Sequence, residues 1–217
     1  MSGCGRRSDV RPLLRFRHSA VAGDLGLHHQ RRAVGAVVTP LPMILALDIS
    51  KTCTGVAFGR VGDPPTFLSI KGSELDDIAA MMKLGRWLIE WTKVAKPDHV
   101  FYEAPIDRVL SSAHTTIVLA KMTGMVEFIC GMKSIPARKA NVQTVRVAFL
   151  GQGRPEDPKQ HAKLMCEALG WAPNNLDEAD AAAIFYWGAI QVGQGKATYV
   201  TPMLKTKVAA EADEARF

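Results

Sequence analysis

Residues 43–59 read MILALDISKTCTGVAFG. Met43 to Leu47 form an unbroken apolar run, the pattern of a strand buried on both faces. Asp48 ends the run, Ser50, Lys51, Thr52, Thr54 and Gly55 supply a tight polar turn, and Val56 to Phe58 resume as a second strand. A carboxylate at the end of a buried strand is costly unless a cation or a hydrogen-bond donor meets it. Asp48 can cap its own turn. It can equally serve as a metal ligand, which requires further carboxylates at the same place.

Downstream, Gly62-Asp63-Pro64-Pro65 reads as a turn and Thr66 to Lys71 alternates as a third strand, so the fold opens with three antiparallel strands. Ser73 is placed to cap a helix that ends before Lys96-Pro97, with Ile78, Met81, Met82, Leu88 and Ile89 in its buried stripe. His99 to Glu103 is a short strand stopped by Ala104-Pro105, which leaves a second carboxylate at a strand end; as an edge residue it would simply face water. Ser111 or Ser112 opens a long helix to Met132 with Ile117, Ala120, Met122, Val126 and Ile129 apolar, and Gly124 in its middle admits another helix. Ser134 to Ala137 is predicted as a fifth strand, parallel to the Glu103 strand across a helical crossover. Val142 to Leu150 is a short helix, Pro158 opens another that reaches Leu169, and Asn174 and Asn175 precede a last helix from Leu176 to Val192.

The chain has 217 residues, 47% hydrophobic and 22% charged, as in an ordinary globular protein. Its net charge of +6 is unevenly placed. Residues 1–42 hold seven arginines against Asp9 and Asp24, whereas the remaining 20 lysines and arginines nearly balance 19 acids. The folded part is therefore no basic platform, and residues 1–42 read as a disordered basic extension with no signal-peptide core. Residues 43–193 form the expected domain, and 194–217 a C-terminal tail. Four scattered cysteines without a C-x-x-C pair argue against a zinc site or a disulfide framework and fit a reducing cytoplasm. No unbroken apolar run approaches the roughly 18 residues of a membrane span.

Asp177 and Asp180 stand three residues apart in the first turns of the last helix, so both carboxylates share one face. Capping accounts for Asp177 and Glu178 as readily as ligation does. It does not account for Asp180, set among Ala179, Ala181, Ala182, Ala183 and Ile184. Asp48, Glu103, Asp177 and Asp180 together make an all-oxygen set suited to hard ions such as Mg²⁺ or Mn²⁺. Two such ions about 4 Å apart can activate a water and stabilise a leaving oxygen in phosphodiester hydrolysis. Residues 177–180 also spell D-E-A-D, but the strand and the G-K-[ST] loop that a helicase needs are missing.

The order of these acids resembles the RNase H-like superfamily and, within it, the RuvC-type Holliday junction resolvases, including phage-type members. Leu119 and Gly124 fall where the family's long dimerisation helix reads L-G-Q-A-R-G, and residues 146–153, RVAFLGQG, resemble its V-K-K-A-V-T-G-x-G. Lys159 resembles a family lysine near the active site and the DNA backbone. The first strand departs from the pattern, with D-I-S where bacterial members read D-P-G, and A-P-I follows Glu103 where an aromatic is usual. The resemblance implies an α/β fold whose mixed five-stranded sheet, three antiparallel strands then two parallel, is flanked by helices. It implies a cytoplasmic homodimer, in the host cytoplasm if phage-encoded, that nicks four-way or branched DNA symmetrically in recombination and repair, with two Mg²⁺ or Mn²⁺ per site. Asp48, Glu103, Asp177 and Asp180 would hold the metals. Lys159 would bind the scissile phosphate or position water, Arg146 would contact the backbone, and Arg138 and Lys139 would touch phosphates or lie in a solvated turn. The alternatives are a flap, fork or RNA–DNA hybrid nuclease of the same fold and, from another class, an actin-like ATP-binding protein with a similar first hairpin.

Overall fold

The computed structural model describes residues 40–72, 74–103 and 112–193. The expected extension through residue 39, the tail from residue 194, the caps at Ser73 and Ser111 and the Ala104-Pro105 stop lie outside the described residues.

Strands β1 (Met43–Asp48), β2 (Cys53–Arg60) and β3 (Thr66–Lys71) are consecutive and antiparallel. β4 (His99–Glu103) pairs in parallel with β1, and β5 (Ala137–Ala140) in parallel with β4. The spatial order is β3-β2-β1-β4-β5, the mixed sheet that the sequence predicts. Five helices cover it: α1 (Asp77–Val94), α2 (Ala113–Met132), α3 (Val142–Leu150), α4 (Pro158–Ala168) and α5 (Leu176–Val192).

The two-residue period of the strands sorts the apolar run of β1 onto both faces. Leu45 and Leu47, with Val56, Val100 and Tyr102, face α1 and α2 through Leu84, Leu88, Met122 and Val126. Ile44 and Ala46, with Ala57 and Phe101, face the alanine-rich side of α5, against which α3 and α4 pack. Two glycines set how closely α5 can lie. A Cβ on Gly188 would stand 2.5 Å from a ring carbon of Phe101, and one on Gly55 would stand 2.0 Å from the carbonyl oxygen of Asp177.

Three boundaries and parts of two helix stripes differ from the sequence reading. β2 begins earlier, at Cys53, because the turn closes locally: Thr54 Oγ1 donates to the Ser50 carbonyl at 3.0 Å. α1 is capped by Asp76, whose carboxylate accepts from the Ala79 amide at 2.7 Å. β5 begins at Ala137 and not at Ser134, because Ser134 adopts a left-handed conformation (φ 55°) as α2 ends and Ile135 donates back to Cys130. The stripes of α1 and α2 differ in part: Leu88, Met122, Val126 and Ile129 are buried as expected, but other members are not. Leu84, Leu88 and Thr92 of α1, and Val118, Met122 and Cys130 of α2, are the buried set. Ile78, Met82 and Ile117 are left on the surface.

By length and composition α2 is apolar enough to cross a membrane, which unbroken apolar runs did not suggest. One side of it nevertheless lies in the core between α1 and the sheet. Its Gly124 faces open space among the described residues, with nothing within 4 Å of an added Cβ.

These two environments give opposite expectations for one substitution. Gly55→Ala drives a methyl group into backbone, which no rotamer relieves, and lowers the unfolding free energy by about 1–3 kcal/mol or more. Gly124→Ala removes only helix-interior glycine and raises it by about 0.5–1 kcal/mol. Urea unfolding of both variants beside the wild type measures the difference, and equal effects would refute the close docking of α5.

Candidate active site

Alternation along the strands places Asp48, two residues after Ala46, and Glu103, two after Phe101, on the face that α5 covers. Leu47 pairs with Tyr102, so the two carboxylates end neighbouring parallel strands side by side. Asp48 pairs on its other side with Gly55, the residue against which the first turn of α5 rests.

That first turn is anchored by neutral donors. The Asn175 side chain caps α5 by accepting from the Glu178 amide at 2.9 Å. Glu178, 2% exposed, accepts from Ser69 Oγ at 2.7 Å on β3 and from the Asn174 amide and Nδ2 at 2.7 and 2.9 Å. Asn175 Nδ2 donates to Ser69 Oγ at 2.7 Å and closes the network. The sequence reading treated Glu178 only as a possible cap and missed this role. The signal was available in the N-x-x-E spacing of a capping box.

With α5 so fixed, Asp177 and Asp180 do share a face, because one ammonium meets both. Lys159, at the start of α4, lies 2.9 Å from Asp177 Oδ1 and 3.3 Å from Asp180 Oδ2. α4 begins there because Asp157 accepts from the Gln160 amide at 3.1 Å and Pro158 occupies the first turn.

Electrostatics ties the four acids together. Burial is the leading cause that pushes the Asp48 carboxyl well above its usual range, and the charges of Glu103, Asp180 and Asp177 push the same way against Lys159. Asp180 is raised first by burial and then by Asp177, while Lys159 and Arg146 pull it down. Burial acts against the charged form of Lys159, yet its hydrogen bond to Asp177 and the charges of Asp180, Asp177 and Asp48 hold it above the ordinary lysine value. Cys53, which the sequence reading did not single out, is raised by burial and by a hydrogen bond to Asp177.

The structure therefore sets Asp48 in electrostatic contact with Glu103, Asp177, Asp180 and Lys159, and Asp180 with Arg146. Arg138 and Lys139 are not in the solvated turn expected of them. Both lie within β5 and not in a turn; Arg138 pairs with Phe101 and acts on His99, and Lys139 alternates to the α2 face. Nor do the acids close on a point: among the described residues, no three His, Cys, Asp or Glu side chains are arranged to hold a metal ion. Like charges spread apart, and the ammonium between Asp177 and Asp180 fixes where those two point. The donor set still fits a hard divalent cation: oxygen atoms only, two of the groups raised by burial and repulsion, and one monovalent cation between them.

A carboxyl group whose pKa rises on folding holds more protons folded than unfolded, so its share of stability falls as pH rises through that window. Asp48 and Asp180 thus make the chelated protein lose stability from mildly acidic to neutral pH. Asp48→Asn removes a charge that folding must confine, and it raises the melting temperature at neutral pH in chelator by about 2–4 °C, equivalent to roughly 1 kcal/mol in a domain of this size. The gain shrinks toward pH 4. Melting curves across that range test it, and a variant less stable at neutral than at acidic pH relative to wild type would contradict the repulsion.

The sequence matches no protein-family model and no curated protein. Solved structures do match. RuvC of T. thermophilus in complex with Holliday junction substrate superposes with a TM-score of 0.59 at 17% identity, over 71% of this chain and 95% of that one. A second Thermus thermophilus RuvC structure gives 0.54 at 19% identity, over 69% and 97%. The yeast mitochondrial Holliday junction resolvase Ydc2 gives 0.54 at 14% identity, over 78% and 86%. The chain has the RNase H-like fold of these RuvC-type resolvases.

Proposed function

We propose that this chain is a metal-dependent endonuclease that resolves four-way DNA junctions by paired, symmetric nicks. The observation that supports the reading is the electrostatic contact of Asp48, at the end of β1, with Glu103 of β4, Asp177 and Asp180 of α5 and Lys159. In this reading the four carboxylates Asp48, Glu103, Asp177 and Asp180 would hold Mg²⁺ or Mn²⁺, two ions per site. Bound there, the ions supply an activated water and a counter-charge for the leaving oxygen. The chain's own part is to position. Lys159 and Arg146 offer cations to the phosphate backbone, which the carboxylates alone would repel. Arg138 and Lys139 act as edge-strand charges that discourage sheet-to-sheet pairing, and have no share in the chemistry.

Symmetric cutting needs two sites related by a two-fold axis, hence a homodimer. The outward side of α2 suits that role. Ile117, Phe128 and Met132 are 53%, 67% and 73% exposed, and open Gly124 lies among them. Such an apolar stripe on a soluble domain marks an interface.

The test is cleavage of a labelled synthetic four-way junction with Mg²⁺ or Mn²⁺, beside linear duplex and RNA–DNA hybrid. Paired symmetric nicks on the junction alone are expected. In Asp48→Asn or Asp180→Asn the rate falls by at least about 100-fold, beyond the 10- to 100-fold that loss of an outer partner costs. Cleavage of the hybrid instead would assign another nuclease of this fold, and no metal-dependent cleavage of any substrate would overturn the proposal.

A further inference from the structure

Lys159 contacts two of the proposed ligands in the way a bound cation would. Its ammonium is within 2.9 Å of Asp177 and 3.3 Å of Asp180, and no other side-chain cation reaches either carboxylate by an ion pair among the described residues. The Lys159 side chain is 46% exposed, whereas those of Asp177 and Asp180 are 29% and 18% exposed. The Lys159 side chain is therefore the more accessible partner. Its ammonium ends a flexible four-carbon arm on the first turn of α4, so it can move several ångström while the helix stays in place.

A divalent cation and this ammonium compete for the same oxygens. A DNA phosphate, by contrast, competes with the carboxylates for the ammonium, through a charge-assisted hydrogen bond of comparable strength. We infer that Lys159 is a resident counter-cation of Asp177 and Asp180, which it releases when a DNA phosphate engages its ammonium, so that metal and substrate load cooperatively. This inference rests on the metal-site reading above and adds an order of assembly to it. Before substrate arrives, Lys159 lowers the repulsion among the acids and weakens their hold on divalent ions. Afterwards the same group is spent on the phosphate, and the carboxylates are available. Linkage makes the effect reciprocal: whatever draws Lys159 away improves cation binding by the factor by which the cation favours its withdrawal.

The full chain without DNA is titrated with Mn²⁺, reading free ion by electron paramagnetic resonance, for the wild type, Lys159→Met and Lys159→Arg. Lys159→Met binds Mn²⁺ about tenfold tighter than wild type, within the 5- to 150-fold span usual for coupled sites. Lys159→Arg, which keeps the charge, stays near wild type. A second measurement needs no variant: reductive methylation of Lys159, followed by mass spectrometry, accelerates several-fold when Mn²⁺ is added to the wild type. Equal Mn²⁺ binding by wild type and Lys159→Met, or methylation indifferent to Mn²⁺, overturns the counter-cation role and leaves the nuclease reading intact. No Mn²⁺ binding by any of the three overturns both.

Discussion

The close seat of α5 on the sheet is the constraint from which the rest follows. Backbone meets backbone at Gly55, where even a methyl group would stand 2.0 Å from the Asp177 carbonyl. Because Gly55 is the register partner of Asp48, the contact that docks the helix also brings its first turn beside the strand-end acid. At the other end of α5, Gly188 lies against the Phe101 ring, two residues before Glu103 on β4. The helix is thereby fixed at two points, each near one of the two strands that carry a carboxylate.

Holding those acids together works against folding. Desolvation and mutual repulsion both raise Asp48 and Asp180, so part of the favourable burial in the two cores is offset at this end of the sheet. Lys159 and Arg146 compensate incompletely, since both carboxyls remain raised in their presence. Proteins tolerate such local cost where function demands it and recover the stability elsewhere. Here the recovery is visible close by, in the alanine-rich contact of α5 with the sheet and in the fully satisfied network around Glu178.

Much of this was legible in the sequence because it depends on local periodicity. The apolar run that ends in Asp48, the short strand His99–Glu103 and the three-residue spacing of Asp177 and Asp180 each place a carboxylate without reference to distant residues. What escaped depends on distant partners. Ser69 is an unremarkable position on a strand until Glu178 arrives from 109 residues away. The start of β5 is set by the left-handed turn at Ser134, not by the apolar content of residues 134–137. Leu88, Met122, Val126 and Ile129 lie in the core as expected, but α1 and α2 carry more apolar residues than their core faces need, so composition alone could not say which of Ile78 and Leu84, or Ile117 and Val118, points inward.

Three acids in one helical turn and a half show how environment separates structural from chemical roles. Glu178 is enclosed, and its partners are neutral groups fixed by backbone: the Asn174 amide, two asparagine side chains and a serine on β3. Such a carboxylate has its oxygens engaged by fixed hydrogen-bond donors. Asp177 and Asp180, one residue before it and two after, meet the ammonium of a flexible, half-exposed lysine instead, and Asp180 stays raised despite it. Their negative charge is balanced by something that can leave. A buried carboxylate satisfied by fixed neutral donors stabilises a fold, whereas one balanced by a movable cation keeps its capacity to bind another, and that distinction separates Asp177 and Asp180 from Glu178 more sharply than burial alone does.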